Sequence, residues 1–154
     1  MHILFVCTGN TCRSPMAAAL ARHHAALQGV DVTVDSAGIY AFSGHPMARY
    51  ATDALIRRQV VVPNHQSQPV TKELVTKADF IFTMTASHKD DLLYQYPEAS
   101  GKTHTLLEFV GSDPSSTDVA DPFGGPVEVY EACAGELDGV IEQLMKKLSD
   151  KPSA

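Results

Sequence analysis

The chain has 154 residues, 44% of them hydrophobic, and a formal net charge of −6. This size and composition predict a single domain over residues 1–154 with an ordinary hydrophobic core. The negative charge argues against general nucleic-acid binding, and no stretch approaches the ~20 apolar residues that cross a bilayer, so we expect no nucleic-acid and no membrane partner.

The first predicted strand, over residues 3–6, leads directly into a loop that can bind an anion. The loop reads Cys-Thr-Gly-Asn-Thr-Cys-Arg-Ser-Pro over residues 7–15. Its glycine allows a turn, and successive loop N–H groups can then converge on a tetrahedral oxyanion. A helix starting near Ser14 would add its own unpaired N–H groups, and Pro15 suits the first helical position. The nearby Arg13 and these donors stabilise a thiolate at Cys7, so the segment predicts a nucleophile at the floor of a phosphate-sized cup.

Simpler interpretations of this loop fit less well. Cys7 and Cys12 could form half of a zinc site, but only Cys133 remains and no histidine pair has ligand spacing, so we expect no metal. The nucleotide-binding pattern Gly-x4-Gly-Lys-Ser/Thr is not matched, because the loop has one glycine and no lysine. A lone cysteine after a strand is often a buried hydrophobe, but thiol, glycine, arginine, hydroxyl and proline in register favour a nucleophile.

The next elements alternate between helix and strand. Residues 14–28 are rich in alanine and predict a helix that ends at Gly29. Valines alternate with polar residues over residues 30–35, which predicts a second strand. A loop over residues 39–46 leads to a helix over residues 47–55, where apolar side chains recur at helical spacing.

The second half of the chain continues the alternation. An apolar run over residues 78–84 predicts a buried central strand, and Ser87, with an acidic residue three positions later, resembles a helix start. Residues 103–107 predict a fourth strand, and a polar loop over residues 111–125 precedes a last helix from near Pro126. Four strands separated by helices predict an α/β fold, a doubly wound four-stranded parallel sheet with helices on both faces. In such sheets ligands bind beyond the carboxyl ends of the strands, where the cysteine loop lies.

The polar loop offers a second half of the site. A thiolate that attacks phosphorus requires an acid to protonate the leaving group, and this loop holds Asp113, Asp118 and Asp121. Asp121 is followed by Pro122 and Phe123, and an aromatic ring beside the carboxylate would line a pocket and partly desolvate it. An Asp-Pro pair is also a common turn former, so the residues alone leave both roles open.

Taken together, these segments resemble the low-molecular-weight protein tyrosine phosphatases over nearly the whole chain. Beside the cysteine loop, the matching segments are Asp35-Ser36-Ala37-Gly38, His65 followed by Val70-Thr71-Lys72-Glu73, and Ala120-Asp121-Pro122. The resemblance implies a cysteine-dependent protein phosphatase that needs no cofactor. It implies that Cys7 forms a phosphocysteine, that Arg13 binds the phosphoryl oxygens, and that Asp121 protonates the leaving group and then activates water.

The same resemblance implies supporting roles. Ser14 would hydrogen-bond the sulfur of Cys7, while Asn10, Ser36 and His65 would hold the loop in shape. The implied substrate-binding residues are Thr8, Gly9, Asn10, Thr11, Cys12, Ser14 and Phe123.

Two departures from the tyrosine phosphatases bear on the substrate. Thr11 stands where they usually carry a bulky aliphatic residue, and Phe123-Gly124 stands where they usually carry two tyrosines. Both features resemble the bacterial protein-arginine phosphatases, a branch of the same family. A threonine could contact the planar, donor-rich phosphoguanidinium group, and Phe123 would offer it a ring face. We therefore expect phosphorylated proteins as partners and phosphoarginine as the target, with phosphotyrosine as the alternative.

Two other functional classes share parts of the pattern. A thiol-cascade arsenate reductase needs two further cysteines after the third strand, whereas residues 85–100 contain none and Cys133 lies in the final helix. A non-enzymatic anion-binding module would need neither the thiol of Cys7 nor the acid Asp121.

Cysteine usage predicts the compartment. Three cysteines, an odd number, do not make a secreted disulfide framework, and the chain shows no basic leader, so we expect a cytoplasmic monomer. Cys133 is expected to be a buried structural thiol. Cys12 allows two interpretations: it forms a protective disulfide with Cys7 after oxidation, or it merely packs under the loop.

Overall fold

The computed structural model describes residues 1–111 and 116–149. Its centre is an all-parallel sheet of β1 (His2–Cys7), β2 (Thr33–Gly38), β3 (Phe80–Thr83) and β4 (Thr103–Thr105). The strands lie in the order β2-β1-β3-β4. The chain therefore reverses its direction of winding beside β1, which is where a doubly wound sheet opens a crevice for ligands.

Helices cover both faces of the sheet, so the predicted four-stranded doubly wound fold is confirmed. They are α1 (Arg13–Gln28), α2 (Arg49–Arg57), α3 (Lys72–Lys77), α4 (Ala86–Gln95), α5 (Leu106–Val110) and α6 (Val127–Ser149), with a 3-10 helix over Pro97–Lys102. In the part of the chain that the structure describes, none of them has the length and apolarity of a membrane-crossing helix.

Strand β1 is buried on both sides because its alternate side chains pack into two separate hydrophobic cores. Ile3 and Phe5 pack into the larger core, under helices that include α1 and α6. Leu4 and Val6 face the opposite core, which includes Leu92 of α4. This double burial explains the continuous apolar run before the cysteine loop.

The second strand begins later than the valine pattern predicts. It covers Thr33–Gly38 rather than residues 30–35, and its first residue pairs with His2. Val30 N–H still bonds the carbonyl of Ala25, because the chain leaves α1 through Gly29 in a left-handed conformation with φ 70°. Pairing with β1, rather than side-chain alternation, therefore determines the register.

Threonine side chains determine other helix and strand boundaries that differ from those predicted from the sequence. Thr105 ends the fourth strand and accepts a hydrogen bond from Glu108 N–H, so the predicted strand over residues 103–107 becomes a short strand followed by α5. Thr85, not Ser87, caps α4, and Thr71 caps the unpredicted α3. The helix predicted over residues 47–55 runs over Arg49–Arg57.

Candidate active site

The cysteine loop connects the end of β1 to the start of α1. Cys7 is the last residue of β1 and Arg13 is the first of α1, and both are buried. The Sγ atom of Cys7 lies 2.9 Å from the Oγ atom of Ser14. The thiol and the arginine are thus brought to one end of the sheet, with a hydroxyl beside the sulfur.

Asn10 holds the middle of the loop. Its φ of 58° is left-handed, a conformation that asparagine tolerates better than most residues. Its side-chain amide donates to Ser14 Oγ at 2.8 Å and to Ser36 Oγ at 2.9 Å, and its Oδ1 accepts from the N–H of Gln68. His65 Nε2 donates to the Asn10 carbonyl at 2.7 Å, and burial lowers the pKa of this histidine. The structure therefore brings together all three residues that the resemblance implied as loop supports.

The loop backbone is pressed against the end of β2. The carbonyls of Cys7 and Thr8 accept hydrogen bonds from the N–H groups of Ile39 and Tyr40. A Cβ atom on Gly38 would lie only 2.4 Å from the Thr8 carbonyl oxygen and 3.0 Å from the Asn10 nitrogen. Glycine at position 38 is therefore required by the close approach of two backbone segments.

The acid loop reaches the site across the carboxyl edge of the sheet. Val119 N–H bonds the carbonyl of Met84 after β3, and the Val119 carbonyl accepts from Nη1 of Arg13 at 2.9 Å. Asp121 then lies with Oδ2 3.6 Å from Nη2 of Arg13, and the N–H of Phe123 donates to its Oδ1. The Asp121 side chain is 51% exposed, so Phe123, itself 74% exposed, desolvates it only partly. Asp113 lies outside the described residues.

These groups enclose a cavity of about 170 Å³. It is lined by Cys7, Thr8, Gly9, Thr11, Cys12, Arg13, Asp121 and Phe123. All eight lining residues were predicted site residues, whereas Asn10 and Ser14 are buried and are not among them. A larger cavity of about 500 Å³ lies between α5 and α6, but its described walls carry no cysteine, histidine or arginine. Of these two cavities, only the smaller one is lined by a cysteine, an arginine and an aspartate together.

Two residues whose side chains contact the loop were not predicted from the sequence. The Tyr130 hydroxyl lies 3.6 Å from the Cys12 sulfur, and His88 Nε2 lies 2.8 Å from Thr8 Oγ1. Burial raises the pKa of the Cys12 thiol and raises that of Tyr130 to about 12. Both partners come from distant helices, and neither stands in a motif that could have revealed it.

All three cysteines are buried and unpaired. Burial raises the pKa of Cys133 to about 12, and its sulfur lies 3.9 Å from the carbonyl of Ala120, as suits a structural thiol. Among residues 1–111 and 116–149, no group of His, Cys, Asp and Glu side chains is arranged to hold a metal ion.

Comparisons with known proteins agree with this chemistry. The family model described as low molecular weight phosphotyrosine protein phosphatase matches residues 2–154. A protein-arginine-phosphatase from Bacillus subtilis (strain 168) is 42% identical over 148 residues, covering 96% of this chain and 97% of that protein. The protein-arginine-phosphatase of Geobacillus stearothermophilus is 44% identical over 147 residues, covering 96% and 95%.

More distant relatives carry a different name. The low molecular weight protein-tyrosine-phosphatase PtpB of Staphylococcus haemolyticus is 35% identical over 144 residues, covering 94% of this chain and 97% of that protein. Among solved structures, the YwlE arginine phosphatase superposes with a TM-score of 0.94 at 40% identity, covering 98% of this chain and 97% of that one. That structure is a variant with serine in place of the active-site cysteine, and the serine is phosphorylated.

Proposed function

Because the chain belongs to the low-molecular-weight phosphotyrosine protein phosphatase family, we propose that it removes phosphate from phosphoarginine in proteins through a phosphocysteine intermediate. The observation that carries the proposal is the single cavity walled by Cys7, Arg13 and Asp121, with Thr11 and Phe123 beside them. Nucleophile, cation and acid supply the phosphatase chemistry, and the other two residues bear on the substrate.

In the first step, the Cys7 thiolate attacks phosphorus. A sulfur–phosphorus bond forms as the bond from phosphorus to the leaving nitrogen or oxygen breaks. Arg13 and the loop N–H groups bind the phosphoryl oxygens, and these donors need no rearrangement as charge develops on them. Asp121, half exposed at the cavity wall, donates its proton to the leaving group.

In the second step, the carboxylate of Asp121 takes a proton from water, and the water oxygen attacks phosphorus. The sulfur–phosphorus bond breaks, which returns the thiolate and releases inorganic phosphate. The hydroxyl of Ser14, 2.9 Å from the sulfur, can donate to the departing thiolate. The phosphorylated serine in the YwlE variant supports a covalent phosphoryl intermediate at this position in a relative.

Three lining residues support phosphoarginine as the substrate. A phosphoguanidinium group is planar and rich in N–H donors, and Thr11 presents a small hydroxyl-bearing side chain to the cavity. The protonated carboxyl group of Asp121 keeps an oxygen that can accept a further N–H, while the exposed Phe123 ring can stack on the planar group. The relatives named protein-arginine-phosphatase point the same way.

Phosphotyrosine is the second candidate substrate, since the exposed ring of Phe123 can also stack on a phenol ring. Turnover of phosphoarginine and phosphotyrosine peptides with identical flanking residues separates the two. We expect a higher kcat/KM for phosphoarginine. A higher value for phosphotyrosine would assign the protein to the tyrosine phosphatases while leaving the cysteine mechanism intact.

The cysteines and the cavity also bear on the compartment and the oligomeric state of the protein. Three unpaired thiols suit the reducing cytoplasm, and one chain supplies every group in the cavity, so we expect a cytoplasmic monomer that acts on phosphorylated proteins.

A further inference from the structure

A second histidine contacts the cysteine loop where no role has been assigned. His65 holds the loop through the carbonyl of Asn10, whereas His88 reaches it through the hydroxyl of Thr8 at 2.8 Å. His88 lies in the first turn of α4 and is only 7% exposed. Its backbone N–H donates to Thr85 Oγ1, so the start of the helix fixes its position.

The buried surroundings of His88 determine which ring nitrogen carries the proton. Burial and the nearby charge of Arg13 lower the pKa of His88 to about 4, so the ring is neutral at neutral pH. Its Nδ1 atom is buried and has no hydrogen-bond partner. A proton there would leave a buried N–H unpaired, which costs more than an unpaired lone pair. The proton therefore resides on Nε2, and His88 donates to Thr8 Oγ1.

Thr8 is a point where the loop needs support. It follows the nucleophile directly and lines the cavity, and the next residue, Gly9, has open space around it, with only Thr11 Oγ1 within 4 Å of where a Cβ would stand. In the described part of the chain, His88 is the one hydrogen-bond partner of the Thr8 side chain. The convergent N–H groups of such a loop must be held within about 0.5 Å to bind a phosphoryl group well.

We propose that His88 is a positioning residue of the phosphatase reaction, which fixes the first turn of the phosphate-binding loop through its hydrogen bond to Thr8. The proposal rests on the phosphatase function proposed above. His88 touches no reacting atom in this role: it acts from α4 through Thr8, whereas His65 bonds the carbonyl of Asn10. Loss of the bond is expected to weaken the binding of phosphate as well as turnover, because the same loop N–H groups serve the ground state and the transition state.

A double-mutant cycle tests the coupling. Thr8→Val removes only the hydroxyl, and His88→Leu removes the donor while keeping an apolar side chain in the buried space. Each is expected to raise the inhibition constant of inorganic phosphate and lower kcat/KM for an aryl phosphate by about 3–10-fold, the range of one hydrogen bond. The double variant should lose no more than either single variant, because both remove the same bond.

Two further variants separate this role from general stability. His88→Gln can place an amide N–H near the position of Nε2 and is expected to retain most of the phosphate affinity. His24→Gln is the matched control: His24 is equally buried and bonds Asp138 at 2.5 Å, far along the chain from the loop, so phosphate affinity should not change.

Additive losses in the cycle, or unchanged phosphate inhibition in folded Thr8→Val, would overturn the proposal. Turnover by the wild-type enzyme separates failure of this proposal from failure of the proposed function. If the wild type fails to turn over any phosphorylated substrate, the proposed function is wrong, whereas a working wild type with an additive cycle rejects only the role of His88.

Discussion

Arg13 joins the two loops of the site, because its Nη2 atom lies 3.6 Å from Oδ2 of Asp121. Its Nη1 atom donates to the carbonyl of Val119, two residues before the acid. One buried guanidinium therefore serves as the candidate phosphate ligand and also locates the candidate acid. Because this side chain contacts both loops, substitution of Arg13 is expected to displace Asp121 as well as remove a phosphate ligand.

Cys7→Ser is expected to abolish steady-state turnover while inorganic phosphate still binds, because the cup is built mainly from backbone N–H groups. If the serine hydroxyl attacks phosphorus, the protein would keep the phosphoryl group as phosphoserine. Intact-protein mass spectrometry would detect this species. Cys133→Ser is the control, since this thiol faces a backbone carbonyl outside the cavity and should be dispensable for turnover. Appreciable hydrolysis by Cys7→Ser would exclude the covalent mechanism.

Asp121→Asn is expected to lower kcat by roughly 10²–10⁴-fold, the usual cost of losing a general acid. The loss should shrink for aryl phosphates whose leaving group departs without a proton, so a series of leaving groups is the measurement. Asp118→Asn changes a carboxylate in the same loop that accepts from the N–H of Ala86, and a small uniform effect is expected there. An equal loss for all leaving groups in Asp121→Asn would make Asp121 structural.

Thr11→Ile is expected to shift relative kcat/KM from phosphoarginine toward phosphotyrosine. Isoleucine adds bulk to the cavity wall and removes the hydroxyl, and losing a hydrogen bond to a charged group costs ~1.5–3 kcal/mol, a tenfold or greater change in preference. Thr11→Val and Thr11→Ser separate the hydroxyl from the added bulk. An unchanged ratio in Thr11→Ile would reject Thr11 as the selector.

Gly38→Ala is expected to distort the cysteine loop, since the new methyl group would lie 2.4 Å from the Thr8 carbonyl and 2.8 Å from Cβ of Ala41. Overpacking of this kind costs about 1–3 kcal/mol of unfolding free energy, and the shift should also weaken phosphate inhibition. Gly101→Ala is the control, because nothing lies within 4 Å of its added Cβ. Wild-type phosphate affinity in Gly38→Ala would show that the loop does not depend on this contact.

Mild peroxide treatment is expected to yield a reversible Cys7–Cys12 disulfide. Peroxide oxidises the Cys7 thiolate to a sulfenic acid, and the Cys12 thiolate then attacks that sulfur and displaces its oxygen as water. Burial raises the pKa of the Cys12 thiol, so closure of the bond should accelerate as the pH rises and more thiolate forms. Mass spectrometry of the wild type and of Cys12→Ala after peroxide treatment would identify the oxidation product at Cys7.

The alternative is that Cys12 only packs against Tyr130, whose hydroxyl lies 3.6 Å from the sulfur. In that case the wild type and Cys12→Ala would both accumulate sulfinic or sulfonic acid at Cys7, and activity would not return with a reducing agent.

What the sequence by itself determined is chemistry that lies within a few neighbouring residues. The strand, the glycine turn and the residues from Cys7 to Ser14 are contiguous, so the covalent chain already limits how far apart the thiol, the arginine and the hydroxyl can lie. The alternation of strands and helices likewise indicated the doubly wound sheet, because apolar patterns reflect which faces become buried. Asp121 could be selected only with the help of the family resemblance.

The tertiary structure alone decided what meets across long stretches of chain. His88 reaches Thr8 from 80 residues away, and Tyr130 reaches Cys12 from 118 residues away. The register of β2 follows from its pairing with β1, and the need for Gly38 follows from the loop that packs on it. Such contacts depend on how whole helices and strands pack, and a single side chain carries no local pattern that reveals its distant partner.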